Sequence, residues 1–147
     1  NYIIAIFNPW LQNKLSQEGE TFKIQSFFRK FLLPLVATVI LFYVSLGKTV
    51  IELIGSEDFT VAYEPMLILL SGYSFYLLTF WIRQYLLFNK LIKFHTYGRI
   101  LYSSTFIVLS LFIAPIYGYN GIAISLSISM ILQKIFEYFI YKTKLSQ

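Results

Sequence analysis

The chain has 147 residues, of which 57% are hydrophobic, 20% aromatic and only 13% charged, and its mean hydropathy is +0.65. A soluble domain of this size needs more polar cover and a disordered chain is far less apolar, so the composition points to an integral membrane protein. With no cysteine and a single histidine, disulfide frameworks, thiolate sites and most zinc chemistry are excluded, and neither a metal nor a cofactor is expected.

Residues 1–12 (NYIIAIFNPWLQ) are apolar. At 1.5 Å per residue they cover about 18 Å of a hydrocarbon core roughly 30 Å thick. They read as the truncated end of an N-terminal helix, which makes residues 1–147 a single transmembrane domain and the C-terminal portion of a larger protein. In residues 20–30, Phe22, Ile24, Phe27 and Phe28 are interleaved with Lys23, Arg29 and Lys30. This pattern suits a short interfacial helix, or equally an early start of the next span.

Four full spans follow, at about 31–54, 62–88, 98–117 and 120–141. Each is near the length a membrane-crossing helix needs, and helices are the economical way for a short chain to cross lipid. The expected fold is therefore all-α, a multi-pass helix bundle. Turn signals separate the spans: Gly55-Ser56-Glu57-Asp58, the polar stretch 89–99 with Gly98, and the tight Tyr117-Gly118-Tyr119-Asn120-Gly121. Pro65 suits a first helical turn, and Pro34 permits a mild kink.

Charge supplies the orientation. Lys14, Lys23, Arg29 and Lys30 precede the first span, Lys90, Lys93 and Arg99 follow the second, and Lys142 and Lys144 follow the fourth. The alternate connections carry Lys48 beside Glu52, Glu57, Asp58 and Glu64. By the positive-inside rule the basic connections and the C-terminus are cytoplasmic. The net charge of +5 thus reports topology, and no nucleic-acid partner is expected.

Three segments resemble a known family. One is Val50-Ile51-Glu52-Leu53-Ile54-Gly55 with Asp58-Phe59, Ala62 and Pro65-Met66-Leu67-Ile68-Leu69-Leu70. The second is Tyr85-Leu86-Leu87-Phe88-Asn89-Lys90, and the third is the hairpin Ile116-Tyr117-Gly118-Tyr119-Asn120-Gly121-Ile122-Ala123-Ile124-Ser125. Together they resemble the C-terminal part of the polysaccharide transporters and O-antigen (lipid-linked oligosaccharide) flippases of the multidrug/oligosaccharidyl-lipid/polysaccharide superfamily. The resemblance implies a MATE-like fold in the bacterial inner membrane. It also implies a lipid-linked oligosaccharide substrate and, as partners, the bilayer and the missing N-terminal transporter helices. These motifs are packing and turn patterns, and family members carry many more spans than this chain.

Arg83 sits inside the second span, in Thr79-Phe80-Trp81-Ile82-Arg83-Gln84-Tyr85. An arginine at mid-helix costs about 2.5–3.5 kcal/mol to insert, so it either lines a cavity or snorkels to the headgroups. Lys134 and Glu137, three residues apart on the last span, share a face and can pair. Arg83, Lys134 and Glu137 are the candidate substrate-binding residues, placed at the cytoplasmic mouth of a cavity where the cations attract a pyrophosphate. The competing reading is an interfacial pair facing lipid headgroups.

The stripe Gly121, Ser125 and Ser129, with Ala123 and Ser127 beside it, reads as helix packing. Tyr73, Tyr76, Tyr85, Tyr138, Tyr141 and Trp81 read as belts and packing before sugar stacking. His95 reads as a solvated residue of a cytoplasmic connection, and Glu57 and Asp58 as a solvated turn. No nucleophile elbow, phosphate loop or dinucleotide fingerprint occurs, so no enzyme is expected. A drug or cation antiporter of the same superfamily and a small non-transporting membrane subunit are the alternatives.

Overall fold

The structure, a computed structural model, describes residues 21–55 and 57–145. The truncated N-terminal helix expected at residues 1–12 lies outside them. Helix α1 (Thr21–Ile54) is continuous over 34 residues, so the 20–30 segment and the first span share one helix from Thr21 onward. A 3-10 helix (Glu57–Ala62) leads into α2 (Tyr63–Leu78) and α3 (Phe80–Phe88). The final helical run, α4 (Ile92–Leu145), is 54 residues long.

The second expected span is broken at Thr79, whose backbone (φ −104, ψ 7) leaves the helix. Its hydroxyl donates to the carbonyl of Phe75 at 2.8 Å and to that of Tyr76 at 3.3 Å. Back-bonding of this kind competes with the helical ladder, but the same contact at Ser74, Thr96 and Ser125 leaves the helix unbroken, so it accompanies the break without sufficing for it. α3 then buries Phe80, Trp81, Ile82 and Leu86, with Tyr85 and Tyr141 completing the cluster. Trp81 and Tyr85 both meet Tyr141 edge-on, with ring centroids 4.8 Å apart, the arrangement the ring quadrupoles favour.

α4 does not run straight. Gly118 takes φ 56 and ψ −130, close to the first central position of a type II′ turn, where glycine is the natural occupant. The chain folds back there into an antiparallel hairpin with arms 92–117 and 119–145. Contacts across it bracket the bend: Gly121 lies against Ile113 and Ala114, and Gly98 against Gln133 and Glu137.

α2 packs chiefly on α4. At Gly72 a β-carbon would lie 2.8 Å from Ser127 Oγ and 2.9 Å from Ser127 Cα, so the absent side chain permits the close approach. Ser127 donates across the seam to the carbonyl of Ile68 at 2.9 Å. Ser125 and Ser129 are fully buried and bond carbonyls of their own helix at 2.7 Å each. These small residues serve packing, as their spacing suggested.

Among the described residues, three helical runs are long and apolar enough to cross a membrane: Lys30–Ile54, Phe59–Leu78 and Ile92–Thr143. No more than 11% of the most apolar window of each run is buried in the protein. Leu41, Phe112, Ile116 and Phe139 are among many large apolar side chains left exposed. Each would cost about 1.5–3 kcal/mol to hold in water; a hydrocarbon surrounding removes that cost.

Candidate functional site

One cavity of about 360 Å³ combines cations with aromatic rings. α2 contributes Tyr73, Tyr76 and Leu77 to its wall, α3 contributes Arg83, and the first arm of α4 contributes His95, Arg99 and Tyr102. Met130 and Gln133 of the second arm close it. The break at Thr79 re-aims the chain just before Arg83, and the Gly118 fold-back brings the two arms of α4 together beneath it.

Behind the cavity lies a buried polar network. Glu137 is fully buried and Lys134 is 1% exposed. The Lys134 ammonium donates to Glu137 Oε2 at 2.7 Å and lies 4.3 Å from the centre of the Tyr76 ring. Gln133 Nε2 donates to Glu137 Oε1 at 2.8 Å. His95 Nδ1 lies 2.9 Å from the same oxygen. A carboxylate paired to a lysine can only accept, so His95 donates from Nδ1, which leaves Nε2 as its remaining polar atom. Glu137 thereby takes three donors, which is what a carboxylate in a low-dielectric interior requires.

The three candidate residues therefore occupy two layers. Arg83 lines the cavity, half-buried, and its Nε is buried with no hydrogen-bond partner among the described residues. Lys134 and Glu137 pair as their spacing suggested, but they stand behind the wall that Tyr76, His95 and Gln133 present to the cavity.

His95 is a correction. It is 8% exposed and bonded to Glu137, not a solvated loop residue. The reason is local: the helix already runs from Ile92, so residues 92–99 form the first turns of the first hairpin arm, and the fold-back at Gly118 sets His95 opposite Glu137. Arg99, counted with the cytoplasmic charges, joins Arg83 at the cavity for the same reason.

Of the tyrosines, Tyr73, Tyr76 and Tyr102 face the cavity, whereas Tyr85 and Tyr141 belong to the aromatic core with Trp81. Tyr102 carried no signal in the sequence beyond its type. Glu57 and Asp58 open the 3-10 helix, far along the chain from this site.

The lining charge is clear. Lys134 and Glu137 cancel each other, and Arg83 and Arg99 leave a net positive cavity. Guanidinium forks bind carboxylate and, above all, phosphate oxygens with two parallel hydrogen bonds. Tyrosine rings and hydroxyls beside them suit a ligand that joins an anionic group to a polar or ring-bearing one. No protein-family model, no curated protein and no solved structure matches the chain.

Proposed function

We propose that this chain is the C-terminal part of a multi-pass transporter that flips lipid-linked oligosaccharide or polysaccharide precursors across the bacterial inner membrane. The observation that carries the reading is the cavity in which Arg83 and Arg99 converge among Tyr73, Tyr76 and Tyr102, set between helices whose outer surfaces are apolar. Such a transporter must move a phosphate-linked, sugar-bearing headgroup through a medium that charges several kcal/mol for each unsatisfied polar group. Arginines on a cavity wall supply the counter-charge, and tyrosines supply hydrogen bonds and ring faces.

In this reading each arm of α4 crosses the bilayer on its own, giving four crossings with α1 and the α2–α3 pair. The connection holding Lys90 and Lys93 and the C-terminal Lys142 stand on the cytoplasmic side. The two-arginine cavity then opens toward the cytoplasm, where the substrate is made. A drug or cation antiporter fits less well, because Glu137, the carboxylate behind this cavity, is already engaged by three donors.

The test is export of surface polysaccharide by cells carrying the full-length protein. Losing one charge-assisted phosphate contact, about 1.5–3 kcal/mol, lowers transport about tenfold to a hundredfold in Arg83→Ala and in Arg99→Ala, with membrane insertion unchanged. Wild-type export by both variants refutes the reading.

A further inference from the structure

His95 is the titratable group of the two-arginine cavity that transport by Arg83 and Arg99 leaves without a task. Its position is closely set. A β-carbon at Gly98 would lie 3.3 Å from Glu137 Oε1, so the bare glycine lets the carboxylate of the second arm reach His95, about one turn earlier on the first. The bond between Nδ1 and Glu137 Oε1, at 2.9 Å, fixes the ring and its tautomer. The other edge of the ring is open. His95 keeps 10% of its side-chain surface accessible, and Nε2 is bonded to nothing among the described residues without being a fully covered atom. Since His95 lines the cavity with Arg83 and Arg99, Nε2 is its polar contribution to that wall.

A neutral ring carries its one proton at Nδ1 and offers Nε2 as an acceptor; a protonated ring donates from both nitrogens. Which form is present depends on the charges around it. Arg99 lies four residues on along the same arm, on the same helix face, at about 5–6 Å between β-carbons. Arg83 comes from α3, and Glu137, paired with Lys134, stands behind the ring on the second arm. α2 brings Tyr73 and Tyr76 and the first arm Tyr102, phenols that enter as hydrogen-bond groups. Lys93 is turned onto the Phe94 ring, 5.2 Å from its centre. Glu137 favours a positive ring, and Arg83, Arg99 and Lys134 oppose it. An anion seated on the two guanidiniums adds to the first side and gives Nε2–H an acceptor.

We propose that His95 is a third anion-binding residue of this cavity, and that the cavity takes up a proton together with its anion. The proton comes from water and sits at Nε2, where it makes a charge-assisted hydrogen bond to the anion; when the anion leaves, the proton returns to water. By linkage, each strengthens the binding of the other by the same factor. Glu137 touches no ligand and is a positioning residue: it holds the ring by Nδ1 and balances part of the new charge. A histidine with a purely structural role needs only its bond to Glu137. That role gives no reason for Nε2 to open on a wall that carries two arginines.

The inference rests on the anion-binding part of the transport reading and does not need transport itself. The test is calorimetric titration of the full protein in phosphatidylcholine nanodiscs. The probe is the symmetrical dimethyl ester of pyrophosphate, a dianion with no proton to gain or lose near neutral pH. Wild-type affinity is expected to fall about tenfold to a hundredfold from about pH 5.5 to about pH 8.5, the factor that one hydrogen bond to a charged group supplies. His95→Gln, which can still bond Glu137 but cannot titrate, should bind with no slope over that range. A flat wild-type profile, the wild-type slope kept in His95→Gln, or no binding at any pH overturns the inference. If His95→Gln does not insert, spectra of isotope-labelled histidine in the wild type decide: at about pH 7.5 the probe must convert a neutral imidazole to imidazolium, and unchanged spectra overturn the inference. Flat binding in the wild type, with binding and export both lost in Arg83→Ala, removes the role of His95 and leaves the transport reading standing. A slope that depends on His95, with normal export in Arg83→Ala and Arg99→Ala, supports the proton-linked site and removes the transport reading.

Discussion

Glu137→Leu is the sharpest perturbation of the buried network. The carboxylate is fully buried and takes hydrogen bonds from Lys134, Gln133 and His95. Removing it leaves the Lys134 ammonium, whose side chain is 0% exposed, without a counter-charge. Breaking a buried pair from one side costs about 3–5 kcal/mol. Replacing both partners, as Lys134→Met with Glu137→Leu, removes both charges. The remaining cost is the unpaired His95 and Gln133, about 1–3 kcal/mol. A double-mutant cycle should therefore give a coupling of at least about 2 kcal/mol, with the double variant no less stable than Glu137→Leu alone. The measurement is unfolding by SDS in bicelles, followed by the fluorescence of Trp81 in a Trp10→Phe background. Trp81 suits this because it is buried against Tyr141, one turn beyond Glu137 on the same arm. Additive losses, or a cost under about 1 kcal/mol for Glu137→Leu, would refute the view that this network is a buried, mutually dependent unit.

Two further outcomes can be checked directly. Gly72→Ala should destabilise by about 1–3 kcal/mol through overpacking against Ser127; adding Ser127→Gly should restore only part of this, because the contact with Ser127 Cα remains, and full stability in Gly72→Ala alone would contradict the close seam. Since the chain has no cysteine, single-cysteine variants report topology cleanly. Val61→Cys, at a 67% exposed position, should react with an impermeant maleimide from the outer face and Lys93→Cys from the inner face; labelling of both from one side would rule out the orientation proposed above.

Much of the architecture is legible in the order of residues alone. Apolar stretches of membrane length and glycine-bearing turns each act locally, so they can be read without knowing what packs on what. The hairpin at Gly118 is an example, since Tyr-Gly-Tyr-Asn-Gly between two apolar runs is a turn by its own backbone chemistry. The Lys134–Glu137 pair is another, because three residues apart on a helix is a neighbour distance whatever surrounds it. The break at Thr79 was less accessible: a threonine inside a span back-bonds without necessarily bending the helix.

Sequence alone determined that this is a helical, strongly apolar chain with ionisable groups inside its spans. Which of those groups face one another was decided only by the tertiary structure. His95 and Glu137 are 42 residues apart, and Arg83 reaches the same cavity as Arg99 only because α3 is bent against a folded-back α4. A hydrophobicity pattern records how favourably each residue meets lipid, one position at a time. A binding cavity depends on distances between helices, and those are set by where small residues such as Gly72 and Ser127 let two backbones come together.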